Sequence, residues 1–165
     1  MNEATAQALA AINRDFYRDH AADFSAKRTV PWQGWERLVT ALRSTPGSDP
    51  LRVLDVGCGN GRFARYLARE LAPRALALCG VDASEPLLEA ARAAGPPGAR
   101  WQRGDVVADP DALPAGPFDL VALFAVIHGV PGRERRRALL AACSSRVAAL
   151  ARAHDLGARG GRALA

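Results

Sequence analysis

Residues 53–63 read VLDVGCGNGRF, a short apolar run that meets three glycines at alternate positions, Gly57, Gly59 and Gly61. A strand that turns sharply into a helix, with a ligand pressed against the turn, needs backbone that accepts left-handed φ values and carries no Cβ. The stretch therefore predicts a strand, a bare turn and a helix N-terminus in that order, the opening unit of an α/β fold. The alternation continues downstream. Strands are expected over about 51–56, 76–82, 100–104 and 118–124, and helices over about 60–71, 84–94 and 132–150. Strands joined by helical crossovers pair in parallel with right-handed connections. FDLVALF (118–124) is almost wholly apolar beyond Asp119, as a strand covered on both faces must be.

Ahead of this core, Leu9, Ile12, Phe16, His20 and Phe24 recur at three- and four-residue steps and predict an amphipathic helix. A second helix is expected after Pro31, with Trp32, Trp35, Leu38, Val39 and Leu42 on one face, ended by the linker STPGSDP at 44–50. A length of 165 residues suits one domain. Its expected parts are a helical cap (1–49), an α/β core (50–150) and an irregular tail (151–165). The tail, ARAHDLGARGGRALA, has no β-branched run and does not read as a strand.

Composition excludes more than it selects. No apolar run approaches a membrane span and no secretory pattern opens the chain, so a cytoplasmic protein without membrane contact is expected. Cys58, Cys79 and Cys143 are odd in number and widely spaced, and with His20, His128 and His154 equally scattered neither a disulfide framework nor a metal site is indicated. The formal charge of +5 comes from an arginine-rich chain with Lys27 as its single lysine, a skew that a GC-rich coding sequence also produces.

The neighbours of the glycines select the ligand. A dinucleotide fingerprint, G-x-G-x-x-G, places its third glycine where this chain has Arg62, and no G-K-[ST] exists for a P-loop. Asp55, two residues before Gly57, would repel a pyrophosphate but accept a hydrogen bond from an ammonium group. A ligand with a cationic end is expected, and S-adenosylmethionine has that character. VLDVGCGNGRF resembles the first motif of the class I S-adenosylmethionine-dependent methyltransferases. The resemblance implies a Rossmann-like parallel sheet, here incomplete at about four strands, with N-terminal helices. It also implies that Asp82, closing the second strand, bonds the ribose hydroxyls, with Ser84 as N-cap of the next helix and Pro86 in its first turn. Asp105 and the Val106 N–H would meet the adenine, and Phe124, Ala125 and His128 would face the sulfonium and the acceptor. LFAV lacks the Asn/Asp-Pro-Pro-aromatic motif of enzymes that methylate exocyclic amines.

FYRDHAADFSAKRTVPWQGWERLV (16–39) is similar to the stretch preceding the core in tRNA wobble-uridine carboxymethyl methyltransferases, at Tyr17, Phe24, Ser25, Arg28, Pro31 and Trp32. What this implies is methyl transfer to an oxygen of a carboxylate on tRNA, with Arg28 binding either the cofactor carboxylate or the acceptor. His128 is the candidate catalytic residue, as general base or as a group that orients an acceptor carboxylate or phosphate. Those enzymes carry a second histidine where this chain has Gly129, which leaves a small carboxylate or hydroxyl acceptor open. RERRR (133–137) is either a phosphate contact or a solvated face. The family sheet has seven strands and this chain supplies four, so the fourth would be an apolar edge that a partner or a second copy must cover. A truncated or frame-disrupted methyltransferase is therefore the expectation. A cofactor-binding remnant without activity and a nicotinamide oxidoreductase are the alternatives.

Overall fold

The computed structural model describes residues 2–27, 30–44 and 49–148; Arg28 and the tail 151–165 lie outside them. Four strands, β1 (Leu51–Val56), β2 (Leu76–Asp82), β3 (Arg100–Arg103) and β4 (Leu120–Ala122), form one parallel sheet in the order β3-β2-β1-β4. Register places Asp55 beside Gly80 of β2 and Ala122 of β4. The chain winds outward from β1 to β3 and then returns to the other side of β1. A cleft consequently opens at the carboxyl ends where the winding reverses, the usual ligand position in such sheets.

Alternation along β1 sorts the core into two layers. Leu51 and Val53 pack with Trp35, Val39, Phe63 and Leu67 from α3 (Gln33–Ser44) and α4 (Arg62–Glu70). Leu54 and Val56 pack on the other face with Val81, Val130, and Leu139 of α6 (Arg133–Ser145). Each fully buried Leu or Val contributes about 1.5–3 kcal/mol relative to exposure. Helix α5 (Glu85–Ala94) lies over β2 and β3 and buries Leu87, Leu88 and Ala91.

Arg52 is the one β1 residue not fully buried, and it joins the strand to the start of β4. Its backbone N–H donates to Asp119 Oδ2 at 2.8 Å, and its guanidinium meets both carboxylate oxygens at 3.1 and 2.8 Å. Asp119→Ala leaves a part-buried backbone N–H and a guanidinium without their acceptor, so a lower melting temperature is expected, with Asp119→Asn intermediate. Equal melting of all three proteins would refute a clamping role.

The N-terminal reading is corrected in two respects. The single helix is broken at His20 into α1 (Glu3–Asp19), capped by Asn2 through Thr5 N–H at 2.8 Å, and α2 (Ala21–Lys27). At the break the His20 backbone N–H donates to Phe16 O at 3.0 Å, and its ring Nδ1 lies 3.0 Å from the same oxygen. The stripe is also turned outward: Leu9, Ile12 and Phe16 are 42%, 63% and 53% exposed, while Ala6 and Ala10 are buried. Small residues face the body because α1 approaches it closely.

Strands β1 and β2 have the expected bounds, whereas the later elements are shorter at their ends, most of all β4, confined to Leu120–Ala122, and α6, ending at Ser145. The segment leading into β4 has a neighbour on its outer side. After α6, Phe118 N–H donates to Arg146 O at 2.8 Å and Ala148 N–H to Phe118 O at 2.7 Å, a parallel bridge between Phe118 and Val147. The bridge lies two residues ahead of β4, at the start of the strand the sequence predicts over 118–124, and β4 itself remains an edge of the sheet among the described residues.

Candidate functional site

A cavity of about 350 Å³ occupies the carboxyl end of the sheet, floored by the glycine turn and the loops after β2, β3 and β4. Gly57, Gly59 and Gly61 all take left-handed φ values, 69°, 53° and 72°. The Gly57 and Cys58 N–H groups donate to Val81 O at 2.8 and 3.1 Å, so the turn is tied to the end of β2. A Cβ on Gly57 would run into the Val126 side chain in the loop after β4. Gly61 has a different duty from its expected ligand contact. It does not line the cavity, and a Cβ there would sit 2.7 Å from Trp101 and 3.2 Å from the Ala91 methyl, so its bareness lets α4 start against β3 and α5.

Two acids converge on this floor. Asp55, only 4% exposed, lines the cavity, and burial with the nearby Asp82 charge pushes its carboxyl up to about 7. Asp82 is also raised by burial, but backbone N–H groups favour its ionised form: Gly59 N–H reaches Oδ2 at 2.8 Å and Ser84 N–H reaches Oδ1 at 2.9 Å. Each oxygen retains a lone pair for a hydroxyl donor. Cys58 is buried with its Sγ close to Gly80 of β2, and burial followed by the Asp55 charge raises its thiol far above the range of a nucleophile.

The third acid is differently placed. Asp105 lines the cavity, but its Oδ1 accepts the Val107 and Ala108 N–H groups at 3.1 Å each, and its Oδ2 is ion-paired with Arg14 of α1 at 2.9 Å. Val106 is buried beside it at the cavity wall. Phe124 lines the cavity in an aromatic wall, its ring centroid 4.8 Å from Phe63 and 5.7 Å from Trp35, with the Arg62 guanidinium 5.0 Å from the Trp35 ring. Ala125, next in the chain, holds φ at 55°, a strained value for a residue with a Cβ. His128 is exposed on the 3-10 turn Ile127–Gly129 and is not among the cavity's lining residues. Arg28, expected at the cofactor or acceptor carboxylate, is outside the described residues.

Among the described residues three buried polar side-chain atoms lack a partner: Asp55 Oδ2, Trp35 Nε1 and Ser84 Oγ. All three residues line the cavity. Such orphans are costly unless a ligand satisfies them. An acceptor, a donor and a hydroxyl on one cavity suit a ligand with an ammonium, a carboxylate and sugar hydroxyls. Ser84 is the N-cap of α5 with Pro86 in the first turn, as expected, but its hydroxyl makes no capping bond. Sequence reasoning missed Trp35 as a cavity residue because it reads simply as core. It also missed Asn13 and Arg14, which nothing local distinguishes.

A parallel sheet with its reversal at β1, a glycine turn below the cavity and carboxylates closing β1 and β2 define a class I S-adenosylmethionine-binding domain. Comparison with known proteins agrees. The methyltransferase domain family matches residues 53–149, and the chain belongs to that family. A protein of Encephalitozoon cuniculi named as a methyltransferase is 37% identical over 121 residues, covering 73% of this chain and 50% of its own length. The malonyl-[acyl-carrier protein] O-methyltransferase of Legionella pneumophila is 36% identical, with coverage of 68% and 38%. The tRNA (carboxymethyluridine(34)-5-O)-methyltransferase alkbh8 of Xenopus tropicalis is 33% identical, with coverage of 75% and 17%. The chain thus spans half or less of the length of these relatives. In fold it is similar to a TehB-like SAM-dependent methyltransferase from Corynebacterium glutamicum, with a TM-score of 0.58, 24% identity and coverage of 83% and 68%.

Proposed function

We propose that this chain methylates an oxygen of a carboxylate, with carboxymethylated wobble uridine in tRNA as the first acceptor to test. The glycine turn, Asp55, Asp82 and the Asp105–Val106 turn would hold S-adenosylmethionine by its backbone-facing, ammonium, ribose and adenine parts. When bound, that cofactor supplies an electrophilic methyl group on a sulfonium.

The observation that carries the acceptor class is that the basic side chains among the cavity's lining residues are all arginines, set beside Asp15, Asp55, Asp82, Glu85 and Asp105, with no histidine. Arg14 is paired with Asp105 and Arg18 with Asp15 and Asp19, so Arg62 and Arg103 are the guanidinium groups we assign to the acceptor. A guanidinium binds a carboxylate through paired hydrogen bonds and does not accept protons at neutral pH. An acceptor that is already anionic needs no base, so the chain's task is to bring it in, orient it and exclude water. Exposed His128 has no part in this scheme. The names of two relatives support the same chemistry, since a malonyl group and a carboxymethyluridine both carry a carboxylate.

The test is transfer of a radiolabelled methyl group from S-adenosylmethionine to tRNA bearing carboxymethyluridine, to malonyl-carrier protein and to small dicarboxylates. A methyl ester releases its label as methanol in mild base. Base-labile product on any carboxylate supports the reading, and label confined to base-stable amine or ether products would refute it.

A further inference from the structure

Helix α1 is held across the cavity by two consecutive side chains that reach opposite rims. Asn13 Nδ2 donates to Gly129 O at 2.8 Å, in the 3-10 turn after β4. Arg14 Nη1 donates to Asp105 Oδ2 at 2.9 Å, in the turn after β3. Strands β3 and β4 are the outermost pair of the sheet, and between them lie β2 and β1 with Asp82, Asp55 and the glycine turn. The two bonds therefore span the whole mouth, and Ala10, Asn13, Arg14 and Tyr17 of α1 line the cavity between them.

Little apolar burial supplements these bonds. The body-facing side of α1 buries the small residues Ala6 and Ala10, and its large apolar side chains Leu9, Ile12 and Phe16 point to solvent. The Arg14–Asp105 pair is itself part-exposed, at 44% and 26% of the side chains, and so is open to screening by salt. A helix with so little hidden surface can lift without disturbing the sheet.

We propose that Asn13 and Arg14 are positioning residues that latch α1 shut over the cofactor cavity, so that ligand enters and leaves only when both bonds open. This rests on the reading that the cavity takes the cofactor. A latch limits passage in both directions, because the observed rate in each is the intrinsic rate multiplied by the fraction open. Its removal then accelerates association and dissociation together. A residue that merely contacts ligand would change dissociation and affinity.

The experiment is stopped-flow binding of S-adenosylhomocysteine, followed by the fluorescence of Trp32 and Trp35 in the cavity wall. For the Asn13→Ala, Arg14→Ala double variant both rate constants are expected to rise on the order of tenfold, with Kd changed by less than about threefold. Arg14→Lys should restore part of the wild-type slowness, because an ammonium keeps the charge but loses the guanidinium fork. Raising salt should speed both steps in wild type and neither in Arg14→Ala. Hydrogen exchange gives a second readout, with α1 amides exchanging faster in the double variant and β1 amides unchanged. Faster dissociation with proportionately weaker Kd, or rates that do not move, would overturn the latch. Failure of the wild-type chain to bind S-adenosylhomocysteine at all would instead overturn the cofactor reading, and the latch with it.

Discussion

Asparagine at position 55 is expected to weaken S-adenosylhomocysteine binding by about one to two orders of magnitude while making the ligand-free protein more stable. Both effects have one cause. Asp55 is a buried carboxylate with an unpartnered oxygen, close to Asp82. In the free protein its charge is a burden, and in the complex it accepts from the ligand's ammonium group, a charge-assisted hydrogen bond worth about 1.5–3 kcal/mol. The pH dependence carries the sign. The unfolded chain releases the Asp55 proton near pH 4, whereas the folded, ligand-free protein keeps it up to about 7. Between those values the folded state binds more protons. The stability of the free protein therefore falls as pH rises through that window and levels off above it, a change on the order of a few kcal/mol. Affinity runs the other way, because the ammonium selects the ionised carboxylate: below pH 7 each unit of acidification should cost about tenfold in Kd. Melting curves from pH 4 to 9, with and without ligand, measure both slopes. Asp55→Asn should flatten them, and a variant that keeps the wild-type slopes would show that Asp55 is not the titrating group. Asp82 is the pair's more acidic member, since backbone N–H groups hold its charge.

Gly57→Ala is expected to lower the melting temperature by on the order of 10 °C and to remove measurable cofactor binding. A φ of 69° costs a residue with a Cβ about 1–3 kcal/mol, and the collision with Val126 adds about as much again. At this chain length each kcal/mol shifts Tm by about 2–4 °C. Valine cannot swing aside easily, because its β-branched side chain is stiff at χ1. The two costs are separable. In the Gly57→Ala background, Val126→Ala should recover the part due to collision and leave the backbone part, so that about half of the lost Tm returns. Simple additivity of the two losses would mean that the Val126 contact does not contribute. Recovery to the full wild-type value would mean that φ does not.

The loop carrying Val126 also shows why the floor of the site was more legible than its roof. VLDVGCGNG announces a strand with an acid near its end and a bare turn, LCGVD a second strand closed by an acid, and every one of those constraints is local: glycine tolerates left-handed φ values, and Asp82 is the last residue of its strand. The acids did not all reveal their partners. Asp105 is taken by Arg14, 91 residues away in sequence, an encounter that no spacing rule anticipates. Periodicity likewise marked two faces on α1 without saying which one packs. The larger apolar residues looked like the inner face, yet close approach to the body admits only alanines.

By itself, then, the sequence determined the parallel α/β core, the glycine turn and the two acids at the ends of β1 and β2. These follow from backbone sterics and side-chain alternation over a few neighbouring residues. Only the tertiary structure decided that Gly61 serves packing, that His128 faces solvent, that Val147 bridges to Phe118 just ahead of β4 and that Asn13 and Arg14 tie α1 over the cavity. Each of these depends on elements far apart in the chain meeting in space, and pattern along the chain carries no record of such distances.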